Sequence, residues 1–297
     1  MSLFDQLVDV ALQNQQALSS LRLVVEKELL QRDILRELSS AGLLAGLTFM
    51  GGTCLRACYG SSRLSEDLDF TGGAGFSRGS LSQVASTLVK SLHAKYGLQI
   101  EVSEPVRETG HVDTWKLKVQ TRPGRSDAPA QRINIDVCAI PSYEPRPMLL
   151  LNPYGVDMGT SGLIVQAQSR PEIFADKLVA FALRPNRIKN RDLWDMTWLH
   201  QEAIQPQFSL IAQKLKDHHC DTERYARLLS ERCKMLEEQP ALAADFRQEM
   251  RRFLPAQIVQ QTADKPEFWQ FLTQLMQDLC AQTLRTLEGK RGAAFQM

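Results

Sequence analysis

Long apolar runs are missing from this 297-residue chain: nothing in it approaches the roughly 18 consecutive apolar residues of a membrane-spanning helix. The first thirty residues carry Asp5, Asp9, Glu26 and Glu28 with no basic lead into an apolar block. A secretory leader is therefore not expected, and the cytoplasm is the expected location. An excess of charge of either sign is missing too. Lys and Arg total 35 against 34 Asp and Glu, a formal net of +1, so any basic footprint for a polyanion must be local. Cysteine is sparse. The six, at 54, 58, 138, 220, 233 and 280, form no Cys-x-x-Cys pair and no framework spacing. That excludes a disulfide scaffold and leaves reduced, mostly buried thiols as the expectation. There is no internal repeat and no low-complexity segment. The chain is 43% hydrophobic and 23% charged, proportions that sustain a folded core and exclude disorder. At about 150 residues per domain, the length suggests two domains.

Glycine divides the sequence. It is frequent up to Gly162 and then absent until Gly289. The glycine-containing part reads as mixed α and β. Residues 1–45 are helical, with Leu21, Val25, Leu29, Leu30, Ile34 and Leu38 at helical spacing and Glu26, Lys27, Glu28, Arg32 and Asp33 interleaved. Leu47 to Met50 is a short strand stopped by Gly51-Gly52, and Thr53 to Tyr59 a short helix with Thr53 as its cap. Asp67–Phe70, Leu98–Val102, Thr114–Val119 and Arg132–Cys138 alternate as strands, residues 80–95 are helical, and the Pro and Gly within 122–129 mark a turn. Six helical patterns follow: Ile173–Leu183, Arg191–Gln201, Leu210–Asp217, Thr222–Glu237, Ala241–Phe253 and Glu267–Leu287. Pro206, Pro240, Pro255 and Pro266 punctuate them. Residues 288–297 read as a loose end. The expectation is an α+β protein, with a mixed-sheet domain over 1–164 and a helical domain over 165–297.

The chemistry lies between Phe49 and Phe70. A strand that ends in Gly51-Gly52 and runs into a helix brings free N–H groups and a partial positive charge to one point, a cradle for phosphate. Asp67 and Asp69, two apart on a strand, face the same way. Paired carboxylates repel unless a cation lies between them, and Mg²⁺ favours carboxylate oxygens together with substrate phosphates. A phosphate cradle beside an Asp-x-Asp clamp suits transfer of a nucleotidyl group. A third carboxylate would complete a two-metal site. Asp136, in the alternating run Arg132-Ile-Asn-Ile-Asp-Val137, is the best candidate, as metal ligand or as general base toward an attacking hydroxyl.

Four motifs then stand in order: Gly51-Gly-Thr-x-Leu55, Arg63-x-Ser-Glu-Asp-x-Asp69, Asp176-Lys-Leu-Val-Ala-Phe-Ala-Leu-Arg184 and Arg191-Asp-Leu-Trp-Asp195. Over residues 25–200 the chain resembles the AbiEii/AbiGii toxin family, polymerase-β-like nucleotidyltransferases that include the mycobacterial MenT toxins. The resemblance implies a nucleotidyltransferase sheet domain, Mg²⁺ (or Mn²⁺), a nucleoside triphosphate substrate and the tRNA 3′ end as acceptor. It also implies a cognate antitoxin and a part in growth inhibition or phage defence. It places Gly51, Gly52 and Thr53 at the nucleotide phosphates and makes Asp67 and Asp69 metal ligands. Lys177 becomes a phosphate contact and Asp192 the acid of the last motif. Thr53 stands where the wider superfamily often has serine, and Asp136 rests on strand pattern more than on motif.

Other features have plainer readings. Arg63 and Ser65, grouped with the nucleotide-binding residues, act mainly as supports of their strand, with Ser65 able to cradle phosphate. Arg184, Arg187, Lys189 and Arg191 put four positive charges in eight residues, a local patch suited to an RNA backbone. Asp195, three after Asp192 on a helix, is expected to pair with a neighbouring arginine. Trp194 and Trp198 are expected in the core, and His218-His219-Cys220 with Cys233 matches no zinc spacing. Two alternatives to RNA modification stay open: nucleotidyl transfer to a small molecule or protein side chain, and a nucleotide-sensing protein without turnover.

Overall fold

The computed structural model describes residues 2–105, 111–122 and 130–294. The chain divides into two compact units, residues 1–168 and 169–297. The turn expected within 122–129 falls almost wholly outside the described residues.

In the first unit, Ser2 and Asp5 form a capping box that starts α1 (Leu3–Asn14). A 3₁₀ turn, Gln16–Leu21, then breaks what reads as one helical region and leads into α2 (Arg22–Ser40). β1 (Thr48–Met50), α3 (Gly51–Tyr59), β2 (Leu68–Thr71) and α4 (Val84–Tyr96) follow. β3 (Gln99–Ser103), β4 (Val112–Gln120), β5 (Gln131–Cys138), β6 (Pro145–Leu149) and β7 (Ile164–Gln168) complete a seven-stranded mixed sheet in the order β3-β4-β5-β2-β1-β7-β6. β2 runs parallel to β5 and β1 parallel to β7; the remaining pairs are antiparallel. Period-two alternation buries Leu68, Phe70, Ile133, Ile135 and Val137, and leaves Asp67, Asp69, Asn134 and Asp136 half-exposed.

Two strands were not foreseen. β6 carries Pro145 and Pro147, which argue against a strand unless it lies at a sheet edge, and β6 is the edge. β7 is five residues long and follows glycine-rich turns. Thr53 is not the cap of its helix. α3 begins at Gly51, two residues earlier, with Met50 as a cap that makes no side-chain hydrogen bond.

The second unit is helical: α5 (Arg170–Leu183), α6 (Asn190–Gln201), α7 (Phe208–Asp217), α8 (Thr222–Glu238), α9 (Pro240–Met250), α10 (Ala256–Gln261) and α11 (Pro266–Ala294). α10, a six-residue helix after Pro255, is too short to show periodicity. The supposed loose end is helix as far as Ala294, because α11 continues past Leu287. Trp194 is buried and stacks on Phe268 with ring centroids 5.7 Å apart, and Trp198 is buried as expected. Packing of α8 on α11 brings Cys233 and Cys280 together as a disulfide pair, against the expectation of reduced thiols throughout. His218 and His219 lie exposed in the turn after α7. No helix among the described residues is long and apolar enough to cross a membrane.

Candidate active site

Gly51 makes the turn from β1 into α3 with φ of 75°, a left-handed conformation that glycine adopts without steric cost. The strand therefore runs straight into the helix, and the first N–H groups of α3 receive no bond from a capping side chain. Met50 pairs with Asp69 across the antiparallel β1–β2 ladder, and Asp69 pairs with Asp136 across the parallel β2–β5 ladder. Gly51, directly after β1, thus gathers at one place with Asp69 and Asp136 on the adjacent strands β2 and β5. The approach is close: a Cβ added at Gly51 would sit 2.7 Å from Asp69 Oδ2. Glycine is required here by the carboxylate as well as by φ.

Asp67 lies one residue before β2, and its Oδ1 accepts a hydrogen bond from the Asn134 N–H at 3.0 Å. One of its oxygens is thus already engaged with β5. Among the described residues, no three acidic, histidine or cysteine side chains converge closely enough to constitute a ready metal cage. The donor set is nonetheless all hard carboxylate oxygen, the chemistry that suits Mg²⁺ completed by substrate phosphates. The glycine floor beneath Asp69 leaves that carboxylate room beside a bulky anion.

Thr53, Arg63 and Ser65 are buried, at 3%, 3% and 5% exposure. The Thr53 hydroxyl donates to the Asp67 carbonyl and lies 2.6 Å from Ser65 Oγ. Arg63 Nη1 donates to the Leu64 carbonyl at 2.8 Å. These hydrogen bonds run within the chain, so the three side chains shape the loop that carries Asp67.

In the second unit, Lys177 on α5 bridges two acids of α6: its Nζ is 2.8 Å from Asp192 Oδ1 and 2.7 Å from Asp195 Oδ2. Arg184 Nη1 is 2.6 Å from Asp192 Oδ2. Asp195, expected to meet an arginine, therefore pairs with a lysine. Burial alone would raise the Asp192 carboxyl, but Lys177, Lys189 and Arg184 overcome it and hold the group well below the usual carboxylate range. The basic run is less cationic than its sequence suggests. Arg184 is committed to Asp192, and Arg191 pairs with Glu249 at 3.2 Å while lying over the Phe253 ring. Arg187 is exposed, and Lys189 is half-exposed with its charge acting on Asp192.

Sequence reasoning passed over Glu28, Arg56 and Tyr154, which meet beneath this site. Glu28 Oε1 accepts from the Ser65 N–H at 3.0 Å, and Oε2 accepts from Arg56 Nε at 3.1 Å and from the Tyr154 hydroxyl. The one available signal was a glutamate at 28 amid the apolar spacing of α2, and it read as an interleaved polar position.

Residues 33–274 match the family model described as nucleotidyl transferase AbiEii toxin, type IV toxin–antitoxin system. Among solved structures, the chain is similar to MenT4, a nucleotidyltransferase toxin from Mycobacterium tuberculosis. The two share 16% identity over 94% of this chain and 92% of that one, with a TM-score of 0.53. A nucleotidyltransferase from Helicobacter pylori described as putative matches at 17% identity over 90% and 96% of the two chains, with a TM-score of 0.49. JHP933, also from Helicobacter pylori, matches at 16% identity over 92% and 98%, with a TM-score of 0.48. No curated protein matches the sequence. At these identities the MenT4 likeness speaks for the mixed-sheet nucleotidyltransferase fold alone.

Proposed function

The chain belongs to the nucleotidyl transferase AbiEii toxin family of type IV toxin–antitoxin systems, and we propose that it carries a nucleotidyl group from a nucleoside triphosphate to the 3′ end of tRNA with Mg²⁺ as its ion. On this reading a cognate antitoxin restrains it, and the pair serves in phage defence from the cytoplasm. The observation that carries the chemistry is the conjunction of Gly51, Asp69 and Asp136, with a left-handed glycine under one carboxylate and a second carboxylate in register beside it.

In the transfer, the acceptor hydroxyl attacks the α-phosphorus, the bond to the β-phosphate breaks, and pyrophosphate leaves. The open N–H groups at the start of α3 hold the phosphates. Asp69 and Asp136, with the second oxygen of Asp67, would hold a divalent cation, which when bound neutralises charge building on the phosphate oxygens. Asp136 is the base that takes the hydroxyl proton. For Lys177 and Asp192 the proposal keeps the nucleotide-contact and catalytic roles the resemblance implies. Arg187, exposed, with the half-exposed Lys189 two residues on, supports RNA as the acceptor.

The test is incubation of the protein with Mg²⁺, each labelled nucleoside triphosphate in turn, and total RNA and protein. Label in tRNA supports the reading. Label in protein or in small molecules alone moves the acceptor, and no label with any triphosphate removes the transfer reading.

A further inference from the structure

Glu28 is 3% exposed, sits in the middle of α2 and has no place in the transfer chemistry above. Its surroundings nevertheless lead to the site in three steps. Glu28 Oε1 holds the Ser65 N–H at 3.0 Å. Ser65 Oγ meets Thr53 Oγ1 at 2.6 Å, and Thr53 in turn donates to the Asp67 carbonyl. Two further contacts from α2 grip the same segment: Gln31 Nε2 donates to the Ser65 carbonyl at 3.3 Å, and Lys27 Nζ pairs with Glu66 at 2.6 Å. Opposite them, Arg56 holds Glu28 at 3.1 Å and the Ser61 carbonyl at 2.9 Å.

We propose that Glu28, Ser65 and Thr53 form a buried relay that positions Asp67, and through it the carboxylate strand. They are positioning residues and touch no substrate. The proposal rests on the reading of Asp67 and Asp69 as a metal clamp. It also reassigns the Thr53 hydroxyl from nucleotide phosphate to Asp67. The physical case is one of demand. Glu28 serves two donor sets at once, the Ser65 N–H on one oxygen and Arg56 with Tyr154 on the other. A glutamine offers a single acceptor oxygen, so Glu28→Gln must turn an NH₂ toward one set. The charged Arg56 keeps the oxygen, Ser65 loses its acceptor, and the loop bearing Asp67 is released.

The Asn134 N–H reports the outcome directly, since Asp67 Oδ1 is its acceptor. Amide hydrogen exchange at Asn134, read by NMR, should rise about tenfold in Glu28→Gln and in Thr53→Val, the loss of one net hydrogen bond. Thr53→Val keeps volume and buries no charge, so it serves where Glu28→Gln fails to fold. Tyr154→Phe removes a bond to Glu28 but leaves the Ser65 contact, and should exchange at the parental rate. Mn²⁺ binding followed by electron paramagnetic resonance should weaken about tenfold in the two relay variants. Parental exchange at Asn134 in both would overturn the relay whatever the metal does. An equal rise in Tyr154→Phe would overturn it too, by revealing general loosening. Accelerated exchange in the relay variants, with no Mn²⁺ binding by the parent, would uphold the relay and sink the clamp.

Discussion

Replacing Gly51 by alanine probes the site through two separable costs. The first is conformational. At φ of 75° an alanine pays roughly 1–2 kcal/mol for the left-handed region. The second is local. The new Cβ would lie 2.7 Å from Asp69 Oδ2 and 3.3 Å from its Cβ and Cγ, whereas ordinary contact begins at 3.4 Å. The carboxylate must retreat by about 0.7 Å, beyond the roughly 0.5 Å within which a reactive constellation works. A displacement approaching 1 Å costs on the order of 100-fold in rate. We therefore expect Gly51→Ala to lose about 30- to 100-fold in nucleotidyl transfer. Gly73 supplies the control. It has φ of 76°, and no atom lies within 4 Å of a Cβ added there. Gly73→Ala should show only the conformational loss of stability, roughly 1–2 kcal/mol, in a denaturant melt and keep near-parental transfer. The assay is label incorporation at saturating triphosphate alongside the melt. Transfer by Gly51→Ala within about threefold of the parent, or an equal loss in Gly73→Ala, would refute the argument that this glycine makes room for Asp69.

Asp69→Asn keeps volume but removes one of two neighbouring negative charges; transfer should vanish while the melting temperature holds or rises, and full activity at ordinary Mg²⁺ would end the clamp reading. Lys177→Ala leaves Asp192 and Asp195 buried without their lysine and should destabilise the protein by about 3–5 kcal/mol. A variant as resistant to urea as the parent would show that the cluster is not closed by this residue. Because the Asp192 pKa is lowered on folding, its ion pairs stabilise the protein above the unfolded-state value of about 4, and that stability drains away as pH falls below it. Urea melts across pH 2 to 6 should show a shallower acid loss in Asp192→Asn, and an unaltered slope would contradict the assignment. For a tRNA acceptor, the Arg187→Ala, Lys189→Ala double variant should flatten the slope of log affinity against log salt by roughly 1.4–1.8, two phosphate contacts' worth. Salt-independent transfer that survives the double change would favour a small acceptor.

The parts of the fold legible in the sequence are those where periodicity is long and the side chains agree with it. β4 and β5 alternate over nine and eight residues and were read within a residue or two of their ends. Six of the seven helices of the second unit are legible by the same periodicity, with looser ends: α11 runs seven residues beyond Leu287. β6 and β7 were missed because five residues give too few alternations, and the prolines that make β6 a safe edge argue locally against any strand. The turn at Gly51 was legible as a glycine signal. The closeness of Asp69 was not, since it depends on the register that sets Met50 opposite Asp69.

The charged residues of the core were the least legible, for a physical reason. Glu26, Glu28, Arg32 and Asp33 interrupt an apolar helical stripe, and a charge in that setting is by default turned to solvent. Here all four are buried, at 1%, 3%, 4% and 0% exposure, because each has partners that no local pattern reveals. Asp33 meets Lys95 at 2.6 Å, 62 residues away, and Glu26 meets Arg122 at 2.7 Å, 96 residues away. Burial pushes the Asp33 carboxyl upward even so, against the opposing pull of Lys95, Tyr96 and Arg36. Removing one member of such a set exposes the others to an uncompensated burial cost, whereas removing a lone surface charge costs little. The same holds for Lys177 and Asp192, whose motif is plain in the sequence while the ion cluster that joins them to Asp195 is not. A motif names which residues meet; the partners that hold them set how strongly each resists being moved, and that resistance decides which substitutions disarm the site and which unfold it.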